Sequence, residues 1–266
     1  MQKSNRILSL DLLRGFAILI MFIDHYFGIA FNMEIDYYNI RFFTRIAEPI
    51  FALLLGFFLY NRQIKSLILR FIEILIVAKI INVFFYSVTH KFEVLVSFLI
   101  VYLIYLLSIT IQIPFVFFLF IILLNFFDFT IDFLDYPLTI VLYQVALGYL
   151  LRILFEKQRI QDLDNLGFAI LLALNLLLGL YFVQNETYKL TVYFTGVATI
   201  LVVLTLKSND YIQKKILFDS KGKLSALQKP FVAFLIAIGQ RPLFYYAIQY
   251  ALAVLLAFIT WSLIKN

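Results

Sequence analysis

Four ionisable side chains, Asp11, Arg14, Asp24 and His25, interrupt the first long apolar segment of the chain. Asp11 and Arg14 are three residues apart, so a helix places them on one face, a turn from each other. His25 follows Arg14 by eleven residues, which returns it to within about 20° of that face and about 16 Å further along the helix. A guanidinium group binds phosphate and an imidazole transfers protons. The spacing therefore fits a site that holds an anionic substrate at one end and moves a proton at the other.

A structural role is the alternative explanation of the same residues. A charged side chain near the middle of a membrane helix costs about 2.5–3.5 kcal/mol and usually faces the interior of the bundle. Asp11 and Arg14 would then be an ion pair, and His25 an interfacial residue near a helix end. Glu48, which precedes Pro49, lies at the predicted start of the second helix, where the helix macrodipole already favours a carboxylate.

The composition indicates an integral membrane protein. Hydrophobic residues make up 64% of the 266 positions, charged residues make up 14%, and the mean hydropathy is +0.96. Soluble domains contain about 45–50% apolar and about 25% charged residues. The chain has no cysteine, which excludes disulfides, thiolate metal sites and cysteine nucleophiles. Its two histidines, His25 and His90, lack the spacing of a zinc-binding pair, so we expect no metal site.

Nine segments are apolar and long enough to cross a bilayer, which requires about 20 mostly apolar residues per helix. They lie near residues 8–30, 43–60, 66–86, 93–108, 112–127, 137–154, 165–184, 188–206 and 241–264. A further apolar stretch at 231–238 is too short to span, and we expect an interfacial or re-entrant helix there. The first segment is too long and too charged for a cleaved signal peptide. The sequence therefore predicts one all-α polytopic membrane domain, residues 1–266, with about nine transmembrane helices.

The Lys and Arg residues are distributed unequally between the two sides of this predicted topology. With a cytoplasmic N-terminus, 14 of the 22 lie in cytoplasmic segments and five in outer segments. This bias agrees with the positive-inside rule and predicts an outer C-terminus. The net charge of +6 then faces the anionic lipid of the inner leaflet, so we expect the bilayer, and not nucleic acid, as the partner.

Three segments carry an ordered set of motifs. The first contains Arg6, Asp11-Leu-Leu-Arg14-Gly15, Met21 and His25; the second contains Arg45, Pro49-Ile-Phe51 and Gly56; the third is Gly239-Gln-Arg241-Pro242-Leu-Phe244-Tyr245-Tyr246. In this order they resemble the opening, second and closing helices of the transmembrane acyltransferase superfamily. The resemblance is greatest to the bacterial and archaeal relatives of heparan-α-glucosaminide N-acetyltransferase. It covers both ends of the chain, whereas the middle helices match only in hydropathy.

Two positions depart from the pattern of that family. Its members often carry a histidine just before the proline of the second helix and another in the closing helix. This chain has Glu48 and Gln249 at or near those positions. His25 is therefore the only histidine in the matched segments.

The resemblance implies an enzyme that transfers an acyl group across the membrane. Acetyl-CoA or another acyl-CoA on the cytoplasmic side would be the donor. An amino sugar, a glycan hydroxyl or a lipid headgroup on the outer side would be the acceptor. The resemblance also implies the cell membrane of a prokaryote as the location.

The matched residues receive roles by the same resemblance. Arg14 and Arg241 would bind the acyl-CoA, and His25 would be the catalytic acid–base or acyl-relay group. Glu48 is the second catalytic candidate. Orienting roles would fall to the two remaining charged residues of the motifs, Asp11 and Arg45.

Two other functions remain open at this stage. A non-enzymatic channel or transporter would also place Asp, Arg and Glu inside the membrane. However, the two halves show no inverted repeat and no paired helices broken by Gly or Pro, which are typical of many transporters. A catalytically degenerate scaffold that retains the acyltransferase fold is the third reading.

The predicted topology can be tested by cysteine labelling, because the chain has no native cysteine. A Lys221→Cys variant should be inaccessible to a membrane-impermeant maleimide in intact cells and should react after the cells are opened. Labelling in intact cells would contradict the predicted orientation.

Overall fold

The computed structural model describes residues 7–33, 38–110, 131, 133–160, 165–182, 186–209 and 229–265, and these residues are almost entirely helical. The helices are α1 (Leu8–Phe31), α2 (Ile40–Thr44), α3 (Ala47–Leu59), α4 (Ile64–Thr89), α5 (Val94–Thr110), α6 (Leu138–Glu156), α7 (Asn165–Phe182), α8 (Glu186–Lys207), α9 (Lys229–Gln240) and α10 (Pro242–Lys265). The described residues contain no β-strand, only one isolated bridge between Phe92 and Leu134.

The prediction of an all-α membrane protein is confirmed. Five apolar helical segments are long enough to cross a membrane, namely Leu8–Phe31, Ile40–Leu59, Leu138–Glu156, Lys189–Lys207 and Pro242–Ile264. Helices lie at eight of the nine predicted spans, whereas the span predicted at 112–127 lies outside the described residues. The short helix expected near 231–238 is α9. The count of nine spans stays a prediction.

The second predicted span differs from expectation because its helix is broken. Residues 40–59 form the short helix α2 and then α3, with Arg45 and Ile46 between them. The Asn39 side chain accepts a hydrogen bond from the Arg41 amide (3.0 Å) and caps α2. The predicted second span is therefore two helices and not one.

Helix α1 is central to the packing of the ends of the chain, since it packs against α3, α9 and α10. Helix α3 packs most extensively against α6 and also contacts α8. Helix α4 lies against α5 and α10. Helices from both ends of the chain, together with α6 from its middle, therefore form one packed unit around α1 and α3.

Glycines allow the closest helix crossings in this unit. A Cβ atom on Gly15 would overlap the backbone carbonyl of Leu235, and one on Gly239 would overlap that of Asp11, so α1 and α9 touch backbone to backbone. Glycine at such crossings is common in membrane helices because it lets the backbones approach closely. A second crossing of this kind joins α3 and α6, where Gly56 meets Val145 and Gly148 meets Leu53.

The pair predicted between Asp11 and Arg14 lies at the first of these crossings. The Arg14 Nη1 atom donates to the Asp11 carboxylate at 2.9 Å and lies 3.5 Å from the carbonyl oxygen of Gly239. The guanidinium also lies 4.0 Å from the centre of the Phe58 ring, in a cation–π arrangement. Asp11 is 2% exposed, so its negative charge is compensated inside the protein and not by water.

The close crossing of α1 and α9 predicts that alanine at Gly239 lowers the stability of the protein instead of raising it. Gly→Ala in a helix ordinarily stabilises by roughly 0.5–1 kcal/mol, but Gly239→Ala places a methyl group on the Asp11 carbonyl, and such overpacking costs about 1–3 kcal/mol. We expect its melting temperature in detergent to fall by several degrees. Gly196→Ala is the comparison, since its Cβ would meet only side-chain atoms of Asn175 and Leu172, at 3.1 Å or more, and should cost much less than a methyl group on a backbone carbonyl. Equal melting temperatures for the wild type and Gly239→Ala would contradict this packing.

The buried pair of Asp11 with Arg14 predicts that a double substitution partly restores the stability lost in a single one. Removal of one partner of a buried ion pair typically costs about 3–5 kcal/mol because the other charge is left without compensation. Arg14→Ala should therefore lower the yield and the melting temperature, and Asp11→Asn/Arg14→Gln should recover part of the loss. Single variants as stable as the wild type would mean that water compensates both charges.

Candidate functional site

Two cavities enter the helical bundle and share part of their walls. One, with a volume of about 590 Å³, reaches from Asn32 and Trp261 into the bundle and is called the outer cavity. The other, of about 400 Å³, reaches from Arg62 and Gln240 and is called the inner cavity. Arg14 of the inner cavity and Asn32 of the outer one are eighteen residues apart on and just beyond α1, or about 27 Å.

The junction is formed by the four residues that line both cavities. These are Met21 of α1, Glu48 of α3, Val94 of α5 and Tyr246 of α10. The junction is therefore where a group from one side can meet a group from the other.

The inner cavity combines cationic and apolar walls. Arg14, Arg62 and Arg70 line it together with Phe58, whose ring lies 5.8 Å from the Arg62 guanidinium. Arg70 is also bound to Glu73, at 2.6 Å. Guanidinium groups bind phosphate oxygens in pairs of hydrogen bonds. This cavity can therefore hold a phosphorylated molecule with an apolar arm.

An ion pair forms one wall of the outer cavity. The Arg41 Nε atom lies 3.2 Å from the Asp24 carboxylate, and the Thr44 hydroxyl donates to the same oxygen at 2.7 Å. Arg41 also donates to the carbonyl oxygen of Met33. These contacts fasten α2 onto the outer half of α1 and neutralise Asp24.

Arg45 lies in the break between α2 and α3 and points into the protein. It donates a hydrogen bond to the Tyr136 hydroxyl, and its Nε atom is buried without a hydrogen-bond partner among the described residues. Tyr136 follows the short bridge in which the Asp135 amide donates to the carbonyl oxygen of Phe92 (2.9 Å). Burial raises the pKa of Asp135, although the Arg45 guanidinium lowers it. Arg45 therefore presents positive charge to the outer cavity.

His25 lies in the outer cavity and does not line the inner one. Its Nδ1 atom contacts the Gln249 amide at 3.2 Å to the oxygen and 3.1 Å to the nitrogen. The rings of Tyr246 and Tyr250 approach it edge to face, at 6.2 and 5.2 Å between centroids. The imidazole is oriented by Gln249 and these rings, and neither Asp24 nor Glu48 bonds to it.

Glu48 is the buried carboxylate at the junction. It is 5% exposed, and one of its oxygens accepts a hydrogen bond from Gln144 Nε2 at 3.1 Å. Gln144 also donates to the Thr195 hydroxyl, at 3.0 Å. The other Glu48 oxygen has no hydrogen-bond partner among the described residues. A buried polar atom normally has a partner, so Glu48 is placed to bind one that enters through a cavity.

A second carboxylate, Glu93, holds the tyrosine of the junction. The Tyr246 hydroxyl donates to Glu93, whose other oxygen accepts the Leu95 amide at 2.9 Å. The Glu93 amide in turn donates to the Asn82 side chain at 2.8 Å. The start of α5 is thereby fixed to α4 and α10 at the wall between the cavities.

The structure brings most of the sequence-predicted site residues together. Arg14 lines the inner cavity, His25 and Arg45 line the outer one, and Glu48 lines both. Arg241 is different: it is exposed at the turn before α10 and lines neither cavity. Arg241 therefore does not line the cavity that contains Arg14, and its role in binding acyl-CoA stays a prediction.

Sequence reasoning missed three parts of the site. Gln144 is a polar residue inside an apolar run, a signal that could have been followed because such groups usually have a buried partner. Glu93 and the pair of Asp24 with Arg41 gave no comparable signal, since their partners come from distant segments. The described residues contain no group of three His, Asp or Glu side chains arranged for a metal ion.

This arrangement can bring two reactants to one buried carboxylate from opposite ends of the bundle. One end offers three guanidinium groups, and the other offers an imidazole, an ion pair and a buried arginine. Comparisons of the chain with protein-family models, with curated proteins and with solved structures find no match.

Proposed function

We propose that the chain is a membrane-embedded acyltransferase that moves an acyl group from cytoplasmic acyl-CoA to an acceptor on the outer side. The observation that carries this proposal is the pair of cavities that enter from opposite ends and share Glu48 and Tyr246. The sequence motifs around Arg14, Glu48 and Tyr246 support the same reading. Nine spans, a cytoplasmic N-terminus and the cell membrane of a prokaryote are part of the proposal.

The inner cavity is the proposed donor site. Arg14, Arg62 and Arg70 would bind the phosphates of acyl-CoA, and the apolar wall around Phe58 and Phe98 would accept its pantetheine arm. Asp11 keeps the Arg14 guanidinium in place. Because Arg241 is exposed outside this cavity, we assign it at most a contact with the part of CoA that remains in the cytoplasm.

The transfer itself requires one proton acceptor. The oxygen or nitrogen of the acceptor bonds to the thioester carbonyl carbon, and the carbon–sulfur bond breaks. The acceptor's proton passes to the protein, which returns it to the thiolate to form free CoA. We assign this exchange to Glu48, because it lines both cavities and has an unpartnered oxygen. His25 is the second candidate, because it lies in the acceptor cavity and is oriented by Gln249.

A transporter is the competing proposal, because two cavities that meet at a narrow junction also suit alternating access. Both proposals predict that the junction matters. They differ over acyl-CoA, which a transporter of another solute would neither bind nor consume.

Substitution of each candidate base in turn shows whether Glu48 or His25 accepts the proton. Loss of a positioned acid–base group typically lowers the rate about 10²–10⁴-fold. Glu48→Gln should fold, retain acetyl-CoA binding and lose transfer by that factor, whereas His25→Ala should lose less. The assay is the release of free CoA from radiolabelled acetyl-CoA by the reconstituted protein, with label followed into lipid and into added glucosamine.

Glu156→Gln is the matched control for a carboxylate, since Glu156 pairs with Arg152 outside both cavities and should keep full activity. Loss of transfer in His25→Ala with activity retained in Glu48→Gln would move the base to His25. Full activity in both variants would contradict the acid–base assignment, and a wild type that neither binds nor consumes acetyl-CoA would contradict the proposed function.

A further inference from the structure

The outer cavity reaches the lateral surface of the protein between α4 and α10. Phe84 of α4 and Phe258 of α10 line this cavity, yet they are 58% and 67% exposed. A side chain that both lines a cavity and faces outward marks a place where the cavity opens. Val83, Leu255 and Ile259 are exposed beside these two rings. Ser87 and Thr89 of α4 also line the cavity and are exposed, and their hydroxyls donate to backbone carbonyl oxygens of the same helix.

This opening lies below the ends of both helices. Phe84 comes five residues before the end of α4, and Phe258 comes seven residues before the end of α10. At 1.5 Å per residue these positions are about 8 and 10 Å from the helix ends. In the proposed topology, in which both helices end at the membrane surface, this depth reaches the acyl chains of one leaflet.

The other flank of α10 is closed against α1. The Trp261 indole donates to the carbonyl oxygen of Ala30 at 2.7 Å, and the hydroxyls of Tyr26 and Thr260 are 3.1 Å apart. These contacts fasten the outer ends of the two helices. Of the two flanks of α10 that the described residues form, the one facing α4 is therefore the open one.

The cavity changes from apolar to charged along its length. Phe84, Val254 and Phe258 line it on the side of α4 and α10, whereas Arg45 and the pair of Asp24 with Arg41 line it on the side of α1 and α2. The buried Nε atom of Arg45 has no hydrogen-bond partner among the described residues, so it can donate to an anionic oxygen. An apolar opening with a cationic interior fits an amphiphile that carries phosphate.

A free sugar fits this opening poorly. Its hydroxyl groups would lose their water against aromatic and aliphatic side chains that offer no hydrogen bond in return, which costs about 1–3 kcal/mol for each group. A lipid headgroup also loses water as it passes the opening, but its phosphate then meets Arg45 and Arg41, and its acyl chains remain in the bilayer.

We propose that the acceptor is a phospholipid of the outer leaflet, whose headgroup enters the outer cavity between Phe84 and Phe258 and presents an amine or hydroxyl at the junction. The chemistry rests on the proposed function, whereas the binding of the headgroup does not. In the transfer, the headgroup nitrogen or oxygen gains the acyl group, loses one proton to the base, and CoA leaves as the thiol. The acyl-CoA is the only co-reactant.

Headgroup binding is tested without any turnover. The protein is reconstituted with a phospholipid that carries a diazirine in its headgroup, irradiated and mapped by mass spectrometry. We expect adducts inside the cavity, at Asp24, Tyr250 or His25, because a headgroup that stays in the leaflet cannot reach them. Adducts confined to outward-facing residues would overturn the proposal, whatever the enzymatic activity.

A pair of cysteine variants serves as the control for the route. Phe258→Cys and Leu255→Cys both lie on the outward face of α10, where the native side chains are 67% and 54% exposed, but Leu255 does not line the cavity. A bulky maleimide on Phe258→Cys should reduce the interior adducts at least five-fold, and the same modification on Leu255→Cys should not. Equal adducts in both labelled variants would mean that lipid does not enter by this opening, which also overturns the proposal.

The acceptor class is tested by transfer from radiolabelled acetyl-CoA in vesicles of two compositions. Phosphatidylcholine offers no free amine or hydroxyl, whereas added phosphatidylethanolamine and phosphatidylglycerol offer both. We expect label in the lipid extract only with the second composition. Label in glucosamine added to phosphatidylcholine vesicles, with none in lipid, would overturn the lipid acceptor and leave the acyltransferase. No label in any acceptor together with interior adducts would contradict the proposed function but leave the lipid site.

Discussion

The structure depends on one constraint, the high cost of an uncompensated charge in hydrocarbon. The charged side chains of α1, of α3 and of the break before α3 meet this constraint in two ways. Asp11 and Asp24 are each paired with an arginine, whereas Glu48 and Arg45 keep atoms without partners but turn them into cavities. Cavities that admit water or substrate are therefore a condition for these residues, and not incidental gaps in the packing.

The glycine crossings explain how the charged residues reach each other. Close approach of α1 and α9 at Gly15 and Gly239 places the Gly239 carbonyl oxygen 3.5 Å from Arg14. Close approach of α3 and α6 at Gly56 and Gly148 carries Gln144 to Glu48. Several glycines of the sequence motifs therefore act mainly in helix packing. They affect the site because they set the distance between two helix backbones.

The sequence predicted what depends on local pattern. Hydropathy alone located helices at all eight predicted spans that the structure describes, and helical spacing predicted the pair of Asp11 with Arg14. It did not predict contacts that depend on how distant helices pack, such as Arg41 with Asp24 or Tyr246 with Glu93. Spacing along a helix fixes neighbours within one helix, whereas the partner from another helix is set by crossing angle and register.

The same limit explains the positions of Arg241 and His25. Arg241 shares a motif with Tyr246, five residues later, yet Arg241 is exposed and Tyr246 lies at the junction. His25 shares a helical face with Arg14, yet the two line different cavities, because the junction lies between them at Met21. Residues that share a motif or one face of a helix can therefore still line different cavities.

The central claim is that an acyl group passes through the junction from one side of the membrane to the other. The most direct test reconstitutes the protein in sealed vesicles of one orientation and supplies labelled acetyl-CoA to one side at a time. The account predicts consumption only when acetyl-CoA is on the side of the inner cavity, with the labelled product on the opposite side. Product on the same side as the acetyl-CoA, or no consumption from either side, would contradict it.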